Sequence, residues 1–358
     1  MSKKIMLVAG GTGGHVFPAL ALADALIAKG AICTFVGDKR TADLYARNNR
    51  KAHLITAATF GSGILKKMKT AFLVVAGLIE SLDMLREEKP DVVIGFGGYP
   101  SFPTVFAAQI LGIPTFLHEQ NAILGRANRV LLRLAKILAV SFTTVKSVPV
   151  RWTSKMVYTG NPIRAVFTED IIEYPDWGGK IRLAITGGSQ GSKIFTRLVP
   201  QAIEMMHPDL RSKLFVMQQV RAEDMEEVAG AYARMGIRCE LAPFFDDMKS
   251  FFGRAHLLIC RAGASTVAEI TAMGRPALFV PLAISLDGDQ AQNAAQLVAG
   301  GAAWVLAEKD ANPATVSGLL EGLLSNPATL EGAAKAATKI GRPQAADDLA
   351  DLILRYKA

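Results

Sequence analysis

The chain has 358 residues, half of them hydrophobic, which exceeds one ordinary core at roughly 150 residues per domain and predicts two domains. Three cysteines, Cys33, Cys239 and Cys260, form an odd set in apolar contexts, which excludes a disulfide framework and fits reduced thiols in the cytoplasm. The net charge is +8, and it is uneven: residues 1 to 165 hold 21 Lys and Arg against 9 Asp and Glu, while the remainder holds 19 against 23. Basic character of this kind suits an acidic substrate, a membrane surface or nucleic acid, and it belongs to the first half.

Met1 to Gly10 has the charges of a signal peptide but only five apolar residues before glycine, too few for its hydrophobic region. Ile5 to Ala9 reads as a strand running into Gly10-Gly-Thr-Gly-Gly-His15, with a helix from Val16 to Ala28 stopped at Lys29-Gly30. Ile32 to Gly37 is the next strand. Lys66, Lys67 and Lys69 stand beside the apolar run Ala71 to Ile79, which reads as a helix but falls short of the roughly 20 residues that span a bilayer. Phe72, Val75 and Ile79 share one of its faces, and Leu73 and Val74 point elsewhere, so one narrow buried stripe does not account for them all. A second strand, Val92 to Ile94, ends in the glycine turn Gly95 to Ser101, and a third, Pro114 to His118, ends in polar residues. Gly160-Asn-Pro-Ile-Arg164 closes this half.

The order then begins again. Ile181 to Ile185 runs into Gly187-Gly-Ser-Gln-Gly191, after the turn-rich Pro175-Asp-Trp-Gly-Gly179, and Leu257 to Cys260 breaks at Arg261-Ala-Gly263 and restarts as a helix at Ser265 or Thr266. Alternating strands and helices predict parallel sheets covered on both faces, with ligands outside the carboxyl ends of the strands. Two such domains facing each other place all four turns on one cleft. The tail, Gln344 to Tyr356, reads as a helix.

A nicotinamide-binding fingerprint fails on spacing, because His15 and Val16 occupy the positions where G-x-G-x-x-G needs its last glycine. Ser192 likewise breaks the phosphate-loop pattern after Gly187. No His, Cys, Asp or Glu cluster has the spacing of a metal site, and no nucleophile elbow is present. His15, on a glycine turn at a helix start, is a candidate general base; capping the turn is its structural alternative. His118-Glu119 is a competing acid/base pair, or a set of supporting hydrogen bonds. Glu269 is placed to accept hydrogen bonds from ribose hydroxyls, although Thr266-Val-Ala-Glu269 also fits a capping box. The basic half lacks the interleaved aromatic residues of a nucleic-acid binder.

Taken together, Gly10 to His15, Gly97-Gly-Tyr-Pro-Ser101, His118-Glu-Gln-Asn121, Gly160 to Arg164, Gly187 to Gly191 and Arg261 to Glu269 carry a family likeness spread over most of the length. The chain resembles the peptidoglycan N-acetylglucosaminyltransferases that convert lipid I to lipid II. That resemblance implies a GT-B architecture of two Rossmann-like domains with parallel sheets facing a central cleft: an acceptor and membrane-binding domain over residues 1–163, a UDP-sugar-binding domain over 164–340, and a C-terminal helix in 341–358 that packs back on the first domain. It implies UDP-N-acetylglucosamine as donor, lipid I as acceptor, no cofactor, and peripheral attachment to the cytoplasmic face of the inner membrane through Lys66, Lys67, Lys69, Phe72 and Leu73. Carried over by position, Thr12, Gly13 and Gly14 approach the sugar and diphosphate, Asn121 the donor sugar, and Arg164 and Ser189 the phosphates. Phe245 holds uracil through its backbone, Ala264, Ser265, Thr266, Val267, Ala268 and Glu269 bind diphosphate and ribose, and Gln290 the sugar hydroxyls. Asp289 departs from the commoner residue at its position and Phe245 replaces a frequent isoleucine. The competing readings are a UDP-N-acetylglucosamine 2-epimerase of the same fold and a non-catalytic nucleotide-sugar binding protein.

Overall fold

Short apolar strands that end in glycine turns, separated by helices, satisfy their backbone hydrogen bonds by parallel pairing through right-handed crossovers. The computed structural model shows this arrangement and describes residues 2–57, 64–188, 193–283 and 288–357, apart from the side chains of residues 64–69 and 71. The chain divides into two compact units: residues 1–165 with 343–358, and residues 166–342.

Unit 1 runs β1 (Lys4–Val8), α1 (Gly13–Ala28), β2 (Ile32–Gly37), α2 (Ala42–Arg47), β3 (Ala52–Leu54), α3 (Ile64–Glu88), β4 (Val92–Gly95), α4 (Ser101–Ile110), β5 (Thr115–Glu119), α5 (Arg126–Leu131), β6 (Ile137–Val140) and β7 (Met156–Tyr158). Its strands pair in parallel in the order β3-β2-β1-β4-β5-β6-β7. Strands such as Ile5-Met-Leu-Val8 and Val92-Val-Ile94 are buried throughout, which is why they read as continuous apolar runs and not as alternating ones.

Unit 2 runs β8 (Ile181–Thr186), α6 (Lys193–Met205), α7 (Pro208–Arg211), β9 (Leu214–Gln219), α8 (Met225–Arg234), β10 (Arg238–Ala242), α9 (Met248–Gly253), β11 (Leu257–Cys260), α10 (Ala264–Ala272), β12 (Ala277–Phe279), α11 (Asp289–Ala299), β13 (Ala303–Val305), α12 (Pro313–Leu324) and α13 (Pro327–Ile340). The order β10-β9-β8-β11-β12-β13 repeats that of unit 1 without its last strand. In both sheets the direction of winding reverses beside the first strand, between β1 and β4 and between β8 and β11, and such a reversal opens a crevice at the carboxyl ends.

The tail helix, α14 (Ala345–Arg355), belongs to unit 1. Leu349, Ala350 and Ile353 on its apolar face are fully buried in the same core as Leu22 and Leu26 of α1. Lys3 closes the helix end, its Nζ donating to the carbonyl oxygens of Ile353 at 3.0 Å and Tyr356 at 2.6 Å, where a cation meets the negative end of the helix dipole. Lys29 adds ion pairs to Asp347 and Asp351. Unit 2 is secured at its entry by Arg275, 2% exposed, whose guanidinium donates to the carbonyl oxygens of Ile172, Glu173 and Gly253. Five donors in a fixed fork can hold that many acceptors at once, so an arginine buried without a carboxylate is satisfied by backbone instead.

The α3 helix carries an apolar strip on its outer side. Phe72, Val75 and Ile79 are 72%, 54% and 56% exposed, whereas Leu73 and Val74 are half-buried. The three residues that share a helical face thus face solvent, and Leu73, expected at the membrane with Phe72, is partly turned inward. Lys66, Lys67 and Lys69 fall in the first turns of the same helix, and their side chains lie outside the described residues. Among the described residues no helix is long and apolar enough to cross a membrane.

Candidate active site

Each unit presents functional side chains at the carboxyl edge of its sheet. In unit 1 the turn after β1 and the turn after β4 pack against each other. Glycine is required at this junction: a Cβ on Gly10 would stand 2.6 Å from Cβ of Pro100, and Gly98, at a φ of +77°, has the Gly10 carbonyl oxygen within 3.1 Å of where its Cβ would be. Asp38, at the end of β2, fixes the first turn by accepting from Gly11 N at 3.2 Å and Arg40 Nε at 2.6 Å. It is therefore a buried anchor for the loop.

Helix α1 begins with Thr12 as its N-cap, in extended conformation, and its carbonyl oxygen accepts from His15 N and Val16 N. His15 is half-buried in the first turn. Its Nδ1 lies 3.2 Å from Thr12 Oγ1, and its ring lies beside Gly97 and Gly98. Gly13 and Gly14 begin the helix, with its positive dipole end behind them.

The end of β5 is a buried hydrogen-bonded cluster. Glu119, 2% exposed, accepts from Gly125 N at 2.8 Å, Asn128 Nδ2 at 2.9 Å and Asn121 N at 3.2 Å, with the Asn121 side chain also bonded to it. Burial raises its pKa above the ordinary carboxylate value despite these donors. The carboxylate is committed to shaping the turn from 121 to 128. His118, fully buried, bonds through Nε2 to the Gly160 carbonyl oxygen at 3.2 Å, and burial holds its pKa down at about 4. Arg164, two residues after the Asn161-Pro162 pair of that turn, lies half-buried with its guanidinium 5.1 Å from the centre of the Phe17 ring on α1. The structure thus brings Thr12, Gly13, Gly14, His15, Glu119, Asn121 and Arg164 to one sheet edge.

In unit 2 the helix expected to restart at Ser265 or Thr266 begins at Ala264, with Gly263 as N-cap in extended conformation. The Gly263 carbonyl oxygen accepts from Val267 N at 2.9 Å. Thr266 is consequently inside the first turn, and the capping-box reading of Thr266-Val-Ala-Glu269 is overturned: glycine without a side chain takes the cap, so the first-turn N–H groups of Ala264, Ser265 and Thr266 face the sheet edge with no side-chain cap across them. Val267 is buried, Ala268 is half-buried, and Glu269 lies deeper, at 9% exposure.

Neighbouring side chains hold this break open. Asn293, fully buried on α11, donates to the Ala262 carbonyl oxygen at 3.0 Å. Arg261 reaches the Val280 carbonyl oxygen at 2.8 Å and Glu308 at 2.7 Å, and Glu308 also accepts from Ala283 N. Gln290, at the start of α11 after Asp289, accepts from Leu282 N at 2.9 Å, so its carbonyl oxygen is used by the loop and its amide hydrogens remain for other acceptors. Phe245 is half-buried, its ring 4.4 Å from that of Phe251. Ser189 lies outside the described residues; just before it, Gly188 N donates to Thr186 Oγ1, which donates to Gln219 Oε1.

Asn128, Asn293 and Glu308 carry no signal in the sequence, and the loop-bracing roles of Asp38 and Gln120 are not legible there either. Each acts on a partner that is not its neighbour in the chain.

Two doubly wound parallel sheets in one chain, each ending in glycine turns and helix starts suited to phosphate, define the GT-B class of α/β proteins. The Glycosyltransferase family 28 N-terminal domain matches residues 5–140 and the family's C-terminal domain matches residues 182–349. The chain is 43% identical over 354 residues, 98% of its length and 93% of the relative's, to the UDP-N-acetylglucosamine--N-acetylmuramyl-(pentapeptide) pyrophosphoryl-undecaprenol N-acetylglucosamine transferase of Rhodospirillum centenum. The similarly named transferase of Phenylobacterium zucineum is 42% identical, with 99% of this chain and 98% of that one aligned. The crystal structure of Acinetobacter baumannii MurG superposes with a TM-score of 0.83 at 30% identity, covering 99% of this chain and all of the other. The chain belongs to glycosyltransferase family 28.

Proposed function

We propose that this protein moves N-acetylglucosamine from UDP-N-acetylglucosamine to the 4-hydroxyl of the N-acetylmuramyl residue of lipid I, giving lipid II for peptidoglycan synthesis. The observation that carries this reading is identity above 40% over essentially the whole chain to transferases named for that reaction. The acceptor hydroxyl displaces UDP from the anomeric carbon in one step, inverting an α-linked sugar to a β-linked one. His15 is the base: its ring lies beside Gly97 and Gly98 at the glycine turn, with Nδ1 3.2 Å from Thr12 Oγ1. Glu119 is the second candidate for that role, and the hydrogen bonds that already occupy its carboxylate favour His15.

The departing diphosphate is stabilised by fixed N–H dipoles, a mode of catalysis that needs no reorganisation during the reaction. Thr12, Gly13, Gly14, Arg164 and Ser189 serve the diphosphate and sugar, Asn121 the donor sugar, Phe245 uracil, Ala264 to Glu269 the diphosphate and ribose, and Gln290 the sugar hydroxyls. The protein attaches peripherally to the cytoplasmic face of the inner membrane. The exposed Phe72 on α3, beside a helix start rich in lysine, supports that reading.

The test is product identity. Incubation with UDP-N-acetylglucosamine and a lipid I analogue is expected to give a β-linked disaccharide by NMR. An α-linked product would overturn the single displacement, a free epimerised sugar would establish an epimerase, and binding without turnover would leave a nucleotide-sugar binding protein.

A further inference from the structure

Gln120, 2% exposed, ends in an amide whose Nε2 lies 2.9 Å from the Phe96 carbonyl oxygen and 3.0 Å from Nδ1 of His118. A carbonyl oxygen can only accept, so the group facing it is the NH2; of the two acceptors left for its second hydrogen, Nδ1 at 3.0 Å is nearer than the His118 carbonyl oxygen at 3.4 Å. Nδ1 is then the acceptor, and the proton of the neutral ring sits on Nε2, which faces the Gly160 carbonyl oxygen at 3.2 Å. Donation runs one way, from Gln120 through His118 to Gly160. It joins the turn after β4, the end of β5 and the turn that leads to Arg164.

We propose that Gln120 is a positioning residue for the transfer reaction: by fixing His118 as its Nε2–H tautomer it makes His118 hold the Gly160 carbonyl, and with it the turn that carries Arg164. The opposite tautomer would aim a lone pair at that carbonyl oxygen, acceptor against acceptor. Two surroundings keep the ring neutral. Burial disfavours the imidazolium, and the charge that acts on His118, from His15 on α1, acts in the same direction. The Glu119 carboxylate, next along the strand, is occupied by Gly125, Asn121 and Asn128; from the end of β4 the neighbour is the uncharged Phe96 ring, 5.4 Å away.

This inference rests on the transferase reading for its kinetic part, and two of its three readouts do not. Long-range proton–nitrogen spectra of histidine-labelled protein are expected to show His118 as the neutral Nε2–H tautomer from pH 5 to 8; an Nδ1–H form or an imidazolium would overturn the proposal. Gln120→Met keeps the length but removes the donor, and it is expected to raise KM for UDP-N-acetylglucosamine about tenfold through misplacement of the turn. In a His118→Gln background, where an amide N–H takes the place of Nε2–H whatever Gln120 does, the same change should cost less than about twofold. Equal cost in both backgrounds would reduce Gln120 to its Phe96 contact and overturn the relay. Calorimetric UDP affinity measured in the same variants reads the Arg164 turn even without turnover, and should His118→Gln fail to fold, the tautomer of the intact protein decides alone.

Discussion

The two sheets share a winding order, yet their carboxyl edges are furnished differently. The edge of unit 1 is crowded with buried polar side chains, among them His118, Glu119, Gln120 and Asn128, bonded to one another and to loop backbone. At the edge of unit 2 the corresponding place is taken by backbone: Gly263 caps α10 with no side chain, while Asn293 and Arg261 brace the loop from outside. The same scaffold therefore offers titratable groups on one side and fixed N–H dipoles on the other. The first suits proton transfer, the second a diphosphate. Charge follows the same division, with the basic excess confined to residues 1 to 165.

The sharpest test of this division is His15→Ala. It should lower kcat by about 10² to 10⁴-fold, the usual worth of a general base, with donor affinity nearly unchanged. Steady-state kinetics beside calorimetry would show this, and a variant that turns over normally while Glu119→Ala is inactive would transfer the role to Glu119. Next in size are the three lysines at the start of α3. Replacing Lys66, Lys67 and Lys69 with glutamate should remove about 1 kcal/mol of attraction per lysine to anionic vesicles, with the effect fading as salt rises. Undiminished co-sedimentation would place the contact elsewhere.

The neutral histidine of unit 1 predicts a pH dependence of comparable size. Its pKa falls from 6.5 to about 4 on folding, so below pH 6.5 the unfolded chain takes a proton that the native state refuses. The stability it contributes is complete at neutral pH and is lost as pH falls through 6.5 to 4, on the order of 3 kcal/mol at about 1.4 kcal/mol per pH unit. Glu119, whose pKa is raised, works in the opposite sense. Urea midpoints at pH 7 and 4.5 should therefore converge in His118→Gln, while His256 in unit 2, also held neutral by burial, leaves its own loss in place. If the variant loses as much as the parent, His118 is not a source of the acid sensitivity. The smallest expected effect belongs to unit 2: Glu269→Ala should weaken donor binding by roughly 1.5 to 3 kcal/mol, typical of a hydrogen bond to a charged group. An unchanged affinity would leave the diphosphate to the backbone alone.

Strands were the most legible part of the sequence, because burial on both faces writes them as unbroken apolar runs such as Leu257 to Cys260. Turns were legible where glycine is obligatory, as at Gly98. Helix α10 starts one or two residues before the expected Ser265 or Thr266, because the extended geometry that Gly263 provides outweighs the local preference of Ser265 and Thr266 for capping. The hydrogen-bonded cluster at β5 was only half visible. His118-Glu119 reads as an acid/base pair in the sequence, but the donors that occupy them come from Gly125, Asn128 and Gln120, and burial decides their protonation. On α3 the face shared by Phe72, Val75 and Ile79 could be read from spacing alone, whereas its exposure depends on which side packs inward.

Because α14 completes the core of unit 1, the whole of unit 2 is an insertion within it. During synthesis the residues from 166 to 342 must emerge before Leu349, Ala350 and Ile353 exist to cover α1, a delay of roughly 10 to 35 s at 5 to 20 residues per second. For that interval the flank of α1 that Leu349, Ala350 and Ile353 later cover lacks that native cover.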